Sequence, residues 1–201
     1  MRSIHKQSLA PLLDDRRNVN TLYPNGHGRM VAPTPEGKAT LDIMPVSPDI
    51  AEIDTVGEIA RTCTQSYGIF PNFVSPLSQW LLPPILFWPN GKDKCRMETW
   101  TMAPQWKEGL KPDLWTENDG AELCQVLLED TQFGEKIQAS MQSYGFTGVP
   151  LSYQESRIYH WNQAADQMIG IDNIPPELRV AQVIGDEWIY PNDPRLAQLG
   201  D

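Results

Sequence analysis

Apolar residues along this 201-residue chain change their spacing several times, and each change predicts a different element. Turn residues Pro24-Asn25-Gly26 precede a short strand over 29–32, and the Pro35-Glu36-Gly37 turn precedes a second over 39–44. Ser47-Pro48-Asp49 has the features of a helix start, with a capping serine, a proline at the first position and an acid in the first turn. Ile50, Ile53, Ile59 or Ala60, Cys63 and Tyr67 then recur at helical spacing as far as Gly68. Residues 69–75 and 85–88 are short β-branched and aromatic runs. The turn Asn90-Gly91-Lys92-Asp93 joins 85–88 to an alternating stretch over 95–102, which predicts a hairpin. Two helices follow, over 117–142 and 153–169. Ser152-Tyr153-Gln154-Glu155 forms a capping box before the second, whose apolar face is Ile158, Trp161, Ala165, Met168 and Ile169. The order of elements predicts an α+β fold, mostly antiparallel strands with helices packed on one face.

The first of those helices carries an anomaly. Leu123, Val126, Leu127, Asp130, Phe133, Ile137 and Met141 share one face by their three-and-four spacing. Six are apolar, so Asp130 is expected to point with them toward an interior. Desolvating a bare carboxylate there costs on the order of several kcal/mol, so it must be paired, protonated or bound to a cation. Two readings stay open: Asp130 bonds an arginine such as Arg157 or a backbone amide, or it holds a metal ion. Gly134, one turn on, weakens the helix by roughly 1 kcal/mol relative to alanine and marks a local irregularity.

Composition narrows the classes. With 40% hydrophobic and 21% charged residues, a folded core is expected. The net charge of -10 argues against a nucleic-acid or anionic membrane surface, since neutralising phosphates takes clustered Lys and Arg. No apolar run approaches the roughly 18 residues of a spanning helix, and Met1-Arg2-Ser3-Ile4-His5 lacks the apolar core of a signal peptide. Cys63, Cys95 and Cys124 are odd in number and far apart, which suits reduced thiols in a cytoplasmic protein. His5, His27 and His160 are equally scattered, so no zinc knuckle or Rieske cluster follows from local spacing, and nucleotide-loop and nucleophile motifs are missing. His27 either borders a cavity or, the reading preferred, is a turn or strand residue facing solvent, and His160 reads as a packing or interface residue.

Three blocks resemble the catalytic domain of Rieske non-haem iron, aromatic-ring-hydroxylating oxygenase α-subunits. Glu129-Asp130, then Glu135, Gln138 and Ser143, resembles the family helix in which the aspartate completes a two-histidine, one-carboxylate site on mononuclear iron. Phe70-Pro71-Asn72-Phe73 and the stretch from Ile85-Leu86-Phe87-Trp88-Pro89 to Met97-Glu98-Thr99-Trp100 resemble the cavity-lining segment and the hairpin after it. Residues 153–168, with Glu155 and Tyr159-His160, resemble the final family helix. The blocks stand in family order over roughly residues 20–170.

The resemblance implies a curved antiparallel sheet gripping helices, the helix-grip fold. It divides the chain into an N-terminal loop or short helix over 1–20, a catalytic-domain portion over 21–170 and a tail over 171–201 laid on the body. His5 and Asp130 are implied as ligands of mononuclear Fe(II), and Phe70, Asn72, Phe73, Val126 and Leu127 as substrate-binding residues. The implied reaction is O2-dependent hydroxylation of an aromatic or other apolar substrate. Its electrons come from NAD(P)H through a reductase or ferredoxin and a [2Fe-2S] Rieske cluster, in a homotrimer or an α/β hetero-oligomer. The chain departs from the pattern in two ways: the family's first iron histidine would precede Met1, and no Rieske ligands occur. The resemblance is therefore to an N-terminally truncated catalytic domain, and its rival is a non-catalytic module that keeps an apolar cavity without a complete iron site.

Overall fold

The computed structural model describes residues 17–35, 53–77, 79, 82–100, 102 and 125–192. Among these, six strands form one open antiparallel sheet in sequence order: β1 (Val19–Leu22), β2 (Gly28–Pro33), β3 (Cys63–Ile69), β4 (Phe73–Leu77), β5 (Ile85–Pro89) and β6 (Cys95–Thr99). With the helices α1 (Glu58–Thr62), α2 (Gln125–Thr131), α3 (Gly134–Met141) and α4 (Ser156–Ile169), this is an α+β fold.

The β5–β6 hairpin and the turn leading into β2 lie where turn chemistry put them, whereas β1, ahead of that turn, is a strand where a loop or short helix was expected up to residue 20. Asn25 and Gly26 both take positive φ, at 61° and 79°, which explains why Asn-Gly occupies the first turn. The strand expected over 39–44 and the helix start at 47–49 lie outside the described residues. The end of that helix is corrected: Cys63–Ile69 is a strand inside the sheet, paired with β2 on one side and β4 on the other. Cys63 and Tyr67 are four residues apart, a separation that serves a 3.6-residue period and a 2-residue period alike, so spacing could not separate the two. Pairing on both edges decided it. The run 69–75 is likewise divided, because Phe70, Pro71 and Asn72 make the β3–β4 turn.

The anticipated helix over 117–142 is broken within its described part. α2 ends at Thr131 and α3 begins at Gly134, so the irregularity marked by the glycine is a real interruption. Leu128, Phe133, Ile137 and Met141 are all exposed, as is Asp130.

α4 also departs from its predicted orientation. Its capping box is present, with Ser152 N–H donating to Glu155 Oε2 at 2.7 Å. Ser152 bonding holds the Glu155 carboxyl below its usual range. Yet Ile158, Trp161, Met168 and Ile169 face outward, while Ser156, His160, Gln163, Ala164 and Asp166 are buried. Of these, Gln163 and Asp166 bond the backbone that follows the helix. Asp166 Oδ2 accepts from Val180 N at 2.7 Å, and Gln163 Oε1 accepts from Val183 N at 3.1 Å and Ile184 N at 2.8 Å. Gln163 Nε2 donates to Ile184 O and Tyr159 OH to Ala181 O. The segment after α4 has only short 3-10 turns, so side chains supply the partners its backbone lacks. It returns to the sheet at Tyr190, whose N–H donates to Leu22 O at 2.8 Å.

The other side of α4 meets the β1–β2 turn at close range. A Cβ built on Gly26 would stand 2.6 Å from Ala164 Cβ, and one on Gly28 3.2 Å from the Arg157 stem. Only residues without a side chain allow that approach. Arg157 Nη1 donates to Ser66 O at 2.8 Å, tying α4 to β3. No helix among the described residues is long and apolar enough to cross a membrane.

Replacing Gln163 with leucine leaves two backbone N–H groups and one carbonyl without partners at a site 3% exposed. The expected cost in urea unfolding is about 2–4 kcal/mol, against under about 0.5 kcal/mol for Gln167→Ala on the exposed side of the same helix.

Candidate functional site

At the open end of the sheet, the β3–β4 turn, the β5–β6 hairpin and α4 enclose an apolar groove of about 660 Å³. Gly68, Pro71, Asn72, Phe73 and Val74 form one wall, Phe87, Trp88, Pro89 and Cys95 the other, and Trp161 projects over it from α4. Its volume lies within the roughly 300–1,000 Å³ range of small-molecule sites.

Each wall is held by specific bonds. Phe87 N donates to Asn72 O at 3.0 Å, joining β5 to the turn. Trp88 Nε1 donates to Glu98 Oε2 at 3.1 Å, so its one polar atom is occupied. Trp161 Nε1 donates to Pro71 O at 3.0 Å, and its ring lies 5.4 Å from that of Phe70 at an angle of 53°. From behind, Phe70 N donates to His27 Nδ1 at 3.0 Å. Accepting that bond places the His27 proton on Nε2 when the ring is neutral. His27 is therefore a buttress of the groove, not the solvent-facing turn residue its position implied.

His160 stands next to this buttress, 8% exposed, with Nε2 2.8 Å from Tyr23 O. A carbonyl can only accept, so Nε2 carries the proton. Burial pushes the His160 imidazole below its ordinary value. The bond to Tyr23 opposes that shift, and positive charge on His27 adds to it.

The structure brings together some of the anticipated site residues and separates others. Asn72 and Phe73 line the groove, and Phe70 backs it through Trp161. Leu127 is half-buried on α2 and is not among the groove residues, and the side chain of Val126 on the same helix lies outside the described residues. His5 lies outside the described residues. Asp130 is exposed on α2, and the buried carboxylate of that helix is its neighbour Glu129 at 7% exposure. The expectation that Asp130 aims into an apolar interior is thus corrected. So is its pairing with Arg157, whose guanidinium bonds Ser66 O instead. Burial alone lowers the tendency of Arg157 to hold its proton, though guanidinium stays charged at any ordinary pH.

Among the described residues no three His, Cys, Asp or Glu side chains converge as a metal site. The described donor set by itself does not make a facial triad. Sequence reading missed Phe87, Trp88 and Trp161 as groove residues and placed a cavity-bordering His27 behind a solvent-facing one. The one legible signal was the placement of Phe87 and Trp88 in the hairpin that follows the Phe-Pro-Asn segment; nothing in spacing alone pointed to Trp161 or His27.

A family model described as ring hydroxylating alpha subunit (catalytic domain) matches residues 1–171. No curated protein and no solved structure matches the chain.

The histidine geometry has a pH consequence. In the unfolded chain His160 takes up a proton near its ordinary value of about 6.5, but in the folded chain it does so only at lower pH. Stability from the neutral ring is therefore full above about pH 6.5 and falls as pH drops below it. The urea midpoint is expected to decline between pH 7.5 and 5.5 in the parent. His160→Gln, which keeps a donor for Tyr23 O but does not titrate, should show a flatter profile.

Proposed function

Because the chain belongs to the ring-hydroxylating alpha-subunit catalytic-domain family, we propose that it is the catalytic-domain portion of a Rieske-type oxygenase. The reaction is O2-dependent hydroxylation of an aromatic or other apolar substrate, with mononuclear Fe(II) supplying oxygen activation when bound. Electrons reach it from NAD(P)H through a reductase, with or without a ferredoxin, and a [2Fe-2S] Rieske cluster. A homotrimer or an α/β hetero-oligomer is the proposed assembly, and the cytoplasm the proposed location. The observation that carries this reading is the family match over residues 1–171.

His5 and Asp130 are the ligands assigned to iron. Asn72 and Phe73 are assigned to substrate contact, with Phe70 behind them and with Val126 and Leu127 one turn before Asp130 on α2. The apolar groove supports a substrate with few polar groups, because a buried polar atom without a partner costs roughly 1–3 kcal/mol.

A second reading, an apolar-ligand-binding module without catalysis, is favoured by one contrast: the described residues complete a groove but not a three-ligand metal site. Iron content separates the two. Purified anaerobically with Fe(II) and passed through a desalting column, the parent is expected to retain about one iron per chain, and Asp130→Ala and His5→Ala to lose most of it. Background iron in all three proteins sinks the oxygenase reading for this polypeptide and leaves the binding module.

A further inference from the structure

We propose that Trp161 is a substrate-binding residue that sets the width of the groove for flat apolar rings. The proposal takes its substrate class from the oxygenase reading, but its geometry is independent of any metal.

Trp161 comes from α4, a different element from the Asp130 helix, and it crosses to the end of the sheet. Its one polar atom is used: Nε1 donates to Pro71 O at 3.0 Å. That bond and the tilted contact with Phe70 at 5.4 Å fix the indole from two directions. With the N–H satisfied, only carbon edge and π-face remain for a ligand, and the ring is 40% exposed. Across the groove stands Trp88, whose N–H is likewise taken up, by Glu98. Two tryptophans with consumed donors bound an opening that favours a flat ring by offset or edge contact and offers little to a polar or branched molecule. The strand side leaves that space open, because Gly68 lines the groove and a Cβ there would meet nothing nearer than Gly28 O at 3.9 Å.

The bonds of the polar α4 face to residues 180–184 turn Trp161 away from the core. The helix buries Ser156, His160, Gln163 and Asp166 and leaves this large aromatic outside, where hydrophobic burial alone would have turned it in. A role at the groove gives that orientation a use.

Calorimetric binding of naphthalene and of the three-ring phenanthrene to the full chain tests the proposal. The parent is expected to bind naphthalene. Trp161→Ala should weaken it about tenfold and shift preference toward phenanthrene, since the opening widens. Trp161→Phe keeps an aromatic face and should stay within about threefold of the parent. Gly68→Leu fills the groove from the strand side and leaves the α4 sequence unchanged, and should weaken naphthalene by about tenfold or more even if Trp161→Ala fails to fold. Equal naphthalene affinity in the parent, Trp161→Ala and Gly68→Leu overturns the proposal, as does a parent that binds neither ring system. Loss of iron retention with this binding pattern intact removes the oxygenase reading alone and leaves Trp161 in its role.

Discussion

Backbone without regular secondary structure still carries a donor and an acceptor at almost every residue, and each must find a partner or water. Residues 180–184 meet that demand with the side chains of α4. Gln163 and Asp166 accept from Val180, Val183 and Ile184, and Tyr159 donates to Ala181. On the next turn of the same helix, His160 donates to Tyr23 O and Arg157 to Ser66 O. One polar helix face thus holds the segment after it on one side and the sheet on the other. The rest of the described structure hangs on that face. It determines which way the helix is rotated, and so which residues it presents elsewhere.

The rotation has a direct effect on the groove. With the polar side turned in, Trp161 is carried to the rim, within reach of Pro71 and Phe70. The β1–β2 turn is pressed between α4 and the β3–β4 turn, and its His27 props the latter from behind. Gly26, at positive φ and in near contact with Ala164, makes this packing possible, since any side chain there would separate the two elements. The groove is therefore shaped by parts of the chain more than 130 residues apart. Its two histidines sit close enough that positive charge on one opposes charge on the other.

The carboxylate helix stands in a different condition. α2 and α3 expose Leu128, Phe133, Ile137 and Met141, and Asp130 is exposed with them. An apolar stripe buries Asp130 only if the helix is continuous and the stripe itself is buried. The break before Gly134 removes the continuity, and exposure removes the desolvation cost that made Asp130 conspicuous. What still singles out Asp130 is its place in a chain of the ring-hydroxylating family, within residues 1–171.

Local chemistry was legible from the sequence wherever it was strong. The Asn-Gly turn, the hairpin over β5 and β6, the capping box at Ser152 and the weakness at Gly134 all depend on residues within a few positions of one another. The α+β class followed from the order of such elements, and the family from the resemblance of the blocks at Phe70–Phe73, Glu129-Asp130 and residues 153–168. Tertiary structure decided what short-range patterns leave ambiguous. Cys63 and Tyr67 fit helix and strand alike until β2 and β4 paired with the segment between them. Periodicity gave α4 the correct length but the wrong inward face, because hydropathy counts apolar residues and cannot foresee that a distant backbone will need Gln163 and Asp166. Asn72 and Phe73 were named as cavity residues through the family resemblance of the Phe-Pro-Asn segment, whereas Trp161 and His27 came to the groove when folding placed them against the same turn.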